Sequence, residues 1–137
     1  MFLLDTNAIS GLRRRDKADE GLRAWADAYS PSQFFLSVIS ILEIEIGTLL
    51  LARKNAAQAD IYRKWLDSNV LVQFDGRILP IDTTVSRRCA DLHVPDKKSE
   101  RDAFIAATAL VHDMTVVTRN TADFVRTGAR LLNPWAG

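Results

Sequence analysis

The stretch FFLSVISILEIEIGTLLL, Phe34–Leu51, decides the fold. Its first part, Phe34 to Ile39, is a continuous apolar run with β-branched residues, the pattern of a strand buried on both faces. From Ser40 onward the apolar positions Ile41, Leu42, Ile44, Ile46, Leu49, Leu50 and Leu51 continue too far for a strand and read as a helix opened by Ser40. A buried strand feeding a helix is the unit of a parallel sheet covered on both faces. The helix itself is apolar almost all round, whereas a surface helix keeps a polar face. Leu49, Leu50 and Leu51 point about 100° apart and cannot all meet one sheet, so the helix is expected either to be deeply buried or to turn at least one of them to another helix, a second copy of the chain or a partner segment.

The same alternation extends to both sides. Phe2-Leu3-Leu4 is a short strand ending at Asp5. Asn7 to Arg15 reads as a helix with a basic end, and Asp19 to Tyr29 as a second, stopped by Ser30-Pro31-Ser32. Downstream come a helix from Ala57 to Asn69, short apolar pieces at Val70–Phe74 and Ile78–Ile81, and a helix at Thr83–Leu92. A polar loop at Pro95–Ser99 precedes a helix from Arg101 to His112. Thr115–Thr118 is a buried strand, Thr121–Arg126 a short helix and Ala129–Leu132 a last strand. The expectation is a single domain over residues 1–137, a three-layer α/β/α fold with a mostly parallel central sheet.

Composition narrows the function. The chain has 137 residues, 47% of them hydrophobic and 26% charged, with a formal net charge of +1. That is a globular composition, without the bulk basicity that draws nucleic acid non-specifically; a nucleic-acid substrate would need a local basic patch or a metal. The lone Cys89 excludes an internal disulfide and fits a reducing compartment. No basic leader with an apolar run and no ~20-residue apolar stretch is present, so a cytoplasmic location with no membrane is expected.

Chemistry concentrates in four acids. Asp5 follows the first strand, Glu43 lies in the first turn of the helix after the second strand, Asp102 begins the helix Asp102–Thr108, and Asp123 follows the strand Thr115–Thr118. In a parallel sheet all four fall at the carboxyl edge, where such folds place their sites. Four carboxylates there raise one another's pKa unless a cation is present. Magnesium or manganese, hard ions that take carboxylate and water, would satisfy them and make water nucleophilic at phosphorus. A plainer reading stands beside this one. Ser40–Glu43, Ser99–Asp102 and Asn120–Asp123 have capping-box spacing, and Asp5 could be an N-cap.

LLDTN near the start, SILEIEIG, DAFIAATAL and VTRNTADF, in that order over nearly the whole chain, resemble the signatures of PIN domains, in particular the VapC and FitB group of toxin ribonucleases. The closing Leu132-Asn133-Pro134-Trp135 fits the FitB-like branch. The resemblance implies a magnesium-dependent endoribonuclease, the toxin of a toxin–antitoxin pair, with acids at Asp5, Glu43, Asp102 and Asp123 and polar support from Thr6, Asn7, Thr118 and Asn120. It also implies a homodimer, a groove for the cognate antitoxin, and DNA contact only through that antitoxin.

The remaining candidates are weaker. Arg13-Arg14-Arg15 is either a solvated helix end or a contact for RNA phosphates or an acidic partner, and Arg119 lies near enough to the acids to meet phosphate too. Glu100 reads as a solvated residue or as a further acid supporting the site, and His93 and His112 lack any nucleophile or metal-ligand spacing. Two other function classes stay open: a Rossmann-like phosphatase or phosphotransfer domain, which would want a second Asp beside the first, and an idle protein that only binds a partner or RNA.

Overall fold

The computed structural model describes residues 1–136. Five short strands form one sheet in the order β3-β2-β1-β4-β5, and every pairing is parallel. They are β1 (Phe2–Leu4), β2 (Phe34–Ser37), β3 (Ile78–Leu79), β4 (Thr115–Val117) and β5 (Arg130–Leu132). In register, Leu3 and Leu4 of β1 face Val116 and Val117 of β4. Successive side chains on a strand point to opposite faces, and each of these pairs divides between two cores. Leu4, Leu36 and Val117 join Ile9, Leu22, Ile44 and Leu66 on one side. Leu3 and Val116 join Val85, Ile105 and Phe124 on the other.

The first face is covered by α1 (Thr6–Gly11), α2 (Glu20–Asp27), α3 (Val38–Ala52) and α4 (Ala56–Trp65), and the second by α6 (Thr83–Leu92) and α7 (Glu100–His112). The three-layer architecture is as expected, and the sheet is wholly rather than mostly parallel. No helix among the described residues is long and apolar enough to cross a membrane.

Several boundaries differ from those the sequence pattern suggests. The first helix stops at Gly11 instead of Arg15. A Cβ at Gly11 would come within 2.9 Å of Leu22 Cδ2, so a larger residue there would push the Leu22 side chain aside. Arg13 and Arg14 therefore lie beyond the helix, and Arg15 opens a 3-10 turn, Arg15–Lys17. The long central helix begins at Val38, with Ser37 rather than Ser40 as its cap: the Ser37 hydroxyl accepts from the Ile39 amide at 3.0 Å. The predicted helix to Asn69 is α-helical only to Trp65, then passes through a π-turn, Leu66–Val70, into α5 (Leu71–Gln73). The apolar piece Val70–Phe74 is therefore helical, buried through Val70 and Phe74. The short helix after β4 is a 3-10 turn, Thr121–Asp123.

The buried side of α3 is Ile39, Ser40, Ile44 and Thr48, while Leu42, Leu49 and Leu50 are 45%, 58% and 60% exposed. The helix is thus neither fully buried nor polar on its outer face.

Candidate active site at the sheet switch point

From β1 the chain adds β2 and β3 on one side, then crosses to add β4 and β5 on the other. The reversal leaves a crevice above the carboxyl ends of β1 and β4, the place where open α/β sheets bind ligands. Asp5 leaves β1 there and Thr118 leaves β4.

Asp5 is 6% exposed and is also the N-cap of α1. Its Oδ1 accepts from the Thr6 amide at 2.8 Å. Its Oδ2 accepts from the Thr118 hydroxyl at 2.8 Å and the Asn7 side-chain amide at 3.3 Å. The Thr118 hydroxyl in turn accepts from the Asn120 amide, and Asn7 Oδ1 accepts from the Arg119 amide. This lattice staples the loop after β4 to the start of α1 and fixes one carboxylate. Burial pushes the Asp5 carboxyl above its usual range, with the Glu43 and Asp123 charges adding to the rise and the Thr118 and Thr6 hydrogen bonds opposing it.

Glu43 lies in the second turn of α3, since the helix starts at Val38. The expected Ser40–Glu43 capping box is absent, because Ser40 is inside the helix. The buried Ser40 hydroxyl lies 2.9 Å from that of Thr6, which donates to Glu43 Oε1 at 2.7 Å. The other oxygen, Oε2, lies 3.7 Å from Arg101 Nη1. Sequence reasoning misses Ser40 and Arg101 as members of the site. Ser40 is hidden by its likeness to a cap, and Arg101 by lying among charged residues next to a polar loop.

Helix α7 packs against β4 and runs back from its carboxyl end, so its first turn reaches the same crevice. Asp102 is the third residue of α7, and the Ser99 N-cap makes no side-chain capping bond. The Asp102 carboxyl is pushed up to about 6, chiefly by burial and then by the charges of Asp5, Asp123 and Glu43, with the Ser99 hydroxyl opposing. Asp123 is exposed on its 3-10 turn, and Asn120 at the turn's start makes no side-chain cap. Asp5 and Asp102 therefore each feel the charges of Glu43 and Asp123, and of the four acids Asp5 is the one that caps a helix with its side chain.

Could these residues hold a metal? The donors are all hard carboxylate oxygens, and burial first, then the neighbouring acids, raises the proton affinity of Asp5 and Asp102, which fits a hard divalent ion. Among the described residues no three ligating groups close around a single point.

Of the basic candidates, Arg13 and Arg15 line one cavity of about 500 Å³ with Arg77, away from the acids. Arg13 stacks over the Tyr62 ring at 4.5 Å, Arg14 pairs with Asp16 at 3.2 Å, and Arg15 pairs with Asp27. They form no joint patch at the acids. Arg119 is exposed, and its backbone amide donates to Asn7 Oδ1. His93 Nδ1 accepts from the Lys98 amide at 3.1 Å, and the buried Cys89 thiol is pushed up by burial and by Glu100.

Two cavities meet at Glu43. One, of about 340 Å³, is walled by Thr6, Gly47, Leu51, Tyr62 and Trp65. The other, of about 610 Å³, is polar and lined by Lys97, Lys98, Ser99, Arg101 and Asp102.

The PIN-domain family model matches residues 2–129. A VapC ribonuclease of Sinorhizobium fredii, Y4jK, is 37% identical over 98% of both chains. Among solved structures, FitAcB from Neisseria gonorrhoeae is similar with a TM-score of 0.88 and 34% identity, covering 98% of this chain and 99% of that one. A chain of a toxin–antitoxin complex from Klebsiella pneumoniae gives a TM-score of 0.69 at 28% identity, covering 98% of each.

Proposed function

This chain belongs to the PIN-domain family, and from that premise we propose that it is a magnesium-dependent endoribonuclease, the toxin of a toxin–antitoxin pair acting in the cytoplasm. The observation that carries the reading is the crevice at the carboxyl ends of β1 and β4, where the buried Asp5 carboxylate is held by Thr6, Asn7 and Thr118 and where the charges of Glu43, Asp102 and Asp123 are felt. Such a set of perturbed acids in a cleft suits a role as metal ligands.

Asp5 and Asp102 would hold the ion, with Glu43 and Asp123 reaching it directly or through water; manganese would suit the same donors. Bound there, a divalent ion supplies a nucleophilic water and stabilises charge during in-line displacement at phosphorus. The chain's own part is positioning. Thr118, Asn7 and the Thr6 amide hold the Asp5 carboxylate in one orientation, and the Thr6 hydroxyl fixes Glu43. Such partners commonly matter roughly 10–100-fold in metal affinity or activity.

The phosphatase alternative wants a second acid beside the first. The residue two positions on is Asn7, whose amide donates to Asp5, so the sequence DTN serves to orient one carboxylate. The idle-binder alternative leaves the four converging acids without a use.

The outward leucines of α3 are suited to a second copy of the chain, giving a homodimer. An apolar antitoxin segment would fit the cavity beside Glu43, as helix-in-groove recognition requires; DNA would be reached only through that partner. Cleavage of single-stranded RNA in magnesium, set against hydrolysis of a small phosphomonoester, tests the reading. RNA cleavage that is lost on chelation and in Asp5→Asn supports it. Phosphomonoester hydrolysis without RNA cleavage overturns it.

A further inference from the structure

Within that functional reading, we propose that Arg101 is a substrate-binding residue that takes a backbone phosphate of the RNA and rests on Glu43 when no substrate is bound.

The contrast with a nearby ion pair on α3 makes the case. Glu45 and Arg63 form a clasp: one guanidinium nitrogen lies 2.7 Å from both carboxylate oxygens. Two residues earlier, Glu43 and Arg101 stand 3.7 Å apart, beyond hydrogen-bonding distance. The Arg101 side chain is 50% exposed, and among the described residues it makes no hydrogen bond. An exposed pair this loose contributes little to stability. Nor does Glu43 need it, because Thr6 already fixes its other oxygen.

The cleft needs a cation for a different reason. Four carboxylates with a divalent ion remain net negative, and the chain as a whole carries only +1. A polyanion approaching that edge must be met by local positive charge. In the polar cleft Lys98 is already engaged, its Nζ donating to the Leu92 carbonyl at 2.6 Å. Lys97 is exposed on the rim, farther along the chain from Asp102. Arg101 adjoins Asp102 in sequence and Glu43 in space, and its planar fork matches two oxygens of one phosphate.

The test uses the purified chain with a single-stranded oligoribonucleotide. Binding is measured in chelator across a salt series, and steady-state cleavage in magnesium. Arg101→Gln should shallow the log Kd against log salt slope by about 0.7, the loss of one phosphate contact. It should raise KM roughly tenfold with kcat nearly unchanged, as loss of a uniform binding contact does. Arg101→Lys should restore the slope and only part of the KM loss, keeping charge without the fork. Arg130→Gln, at the amino end of β5, should leave the slope as in the parent chain. An unchanged slope in Arg101→Gln overturns the proposal, as does a fall in kcat and magnesium affinity at constant KM, which would make Arg101 a support for Glu43. Failure of the parent chain to bind RNA at all overturns the proposal together with the functional reading beneath it.

Discussion

Replacing Asp102 with asparagine should stabilise the metal-free protein. Moving this carboxyl from 3.8 to about 6 corresponds to about 3 kcal/mol of disfavoured ionisation at neutral pH. The group is only partly buried and solvent screens it, so ~1 kcal/mol is the expected gain. The sign follows from proton counts. The folded pKa lies above the unfolded one, so between about 4 and 6 the folded state holds a proton that the unfolded state has lost. The parent protein should therefore gain stability from this group as pH falls from 7 towards about 4, opposite to a salt-bridged aspartate. Asp102→Asn should melt about 3–4 °C higher than the parent at neutral pH, and the difference should vanish near the ordinary carboxylate pKa of about 4. Added magnesium should raise the parent's melting temperature by mass action and close or reverse the gap. The opposing influence is the dipole of α7, which favours an acid in its first turn by up to about 1 kcal/mol. If the metal-free variant melts lower than the parent at neutral pH, Asp102 is mainly a helix-end charge and the electrostatic account of the site is wrong.

Asp5→Asn should abolish magnesium-dependent RNA cleavage and cost about 1 kcal/mol, because an amide nitrogen at the Oδ2 position would face the Asn7 amide; circular dichroism would show the fold retained, and full activity would remove Asp5 from the site. Thr118→Val deletes a hydroxyl that donates to Asp5 and accepts from two amides, so a loss of about 1–3 kcal/mol with a roughly 10–100-fold fall in magnesium affinity is expected by denaturant melt and calorimetry. Leu50→Glu changes a residue 60% exposed and should shift sedimentation from dimer to monomer while altering stability by no more than about 0.5 kcal/mol.

Much of this architecture is legible in the amino-acid sequence, and the reasons differ by element. The helix Thr83–Leu92 is readable to the residue because Asp82 caps it, accepting from the Val85 amide, and because its buried positions, Val85, Cys89 and Leu92, recur at helical spacing. The start of α3 is displaced by two residues in the sequence pattern because Val38 and Ile39 continue the apolar run of β2, and both Ser37 and Ser40 are cap-forming types. Only the register Ser37↔Leu79 shows where pairing stops. The four acids are legible because each flanks a strand or lies near the start of a helix. Their inequality is not: Asp5 is buried and Asp123 exposed, and nothing in their local sequences distinguishes a carboxylate tied down by the distant Thr118 from one left in solvent. That Arg13, Arg14 and Arg15 engage separate partners follows from the helix ending at Gly11, which breaks a continuous basic run.

The most direct measurement is a magnesium titration of RNA cleavage by the parent chain, Asp5→Asn and Asp102→Asn, purified in parallel and free of any partner, with end-labelled single-stranded RNA. The acid-cluster account predicts cleavage that rises with magnesium in the parent chain, is absent with chelator, and stays absent in both variants at every magnesium concentration. Cleavage by the parent chain that is indifferent to chelation, or that persists undiminished in either variant, would contradict it.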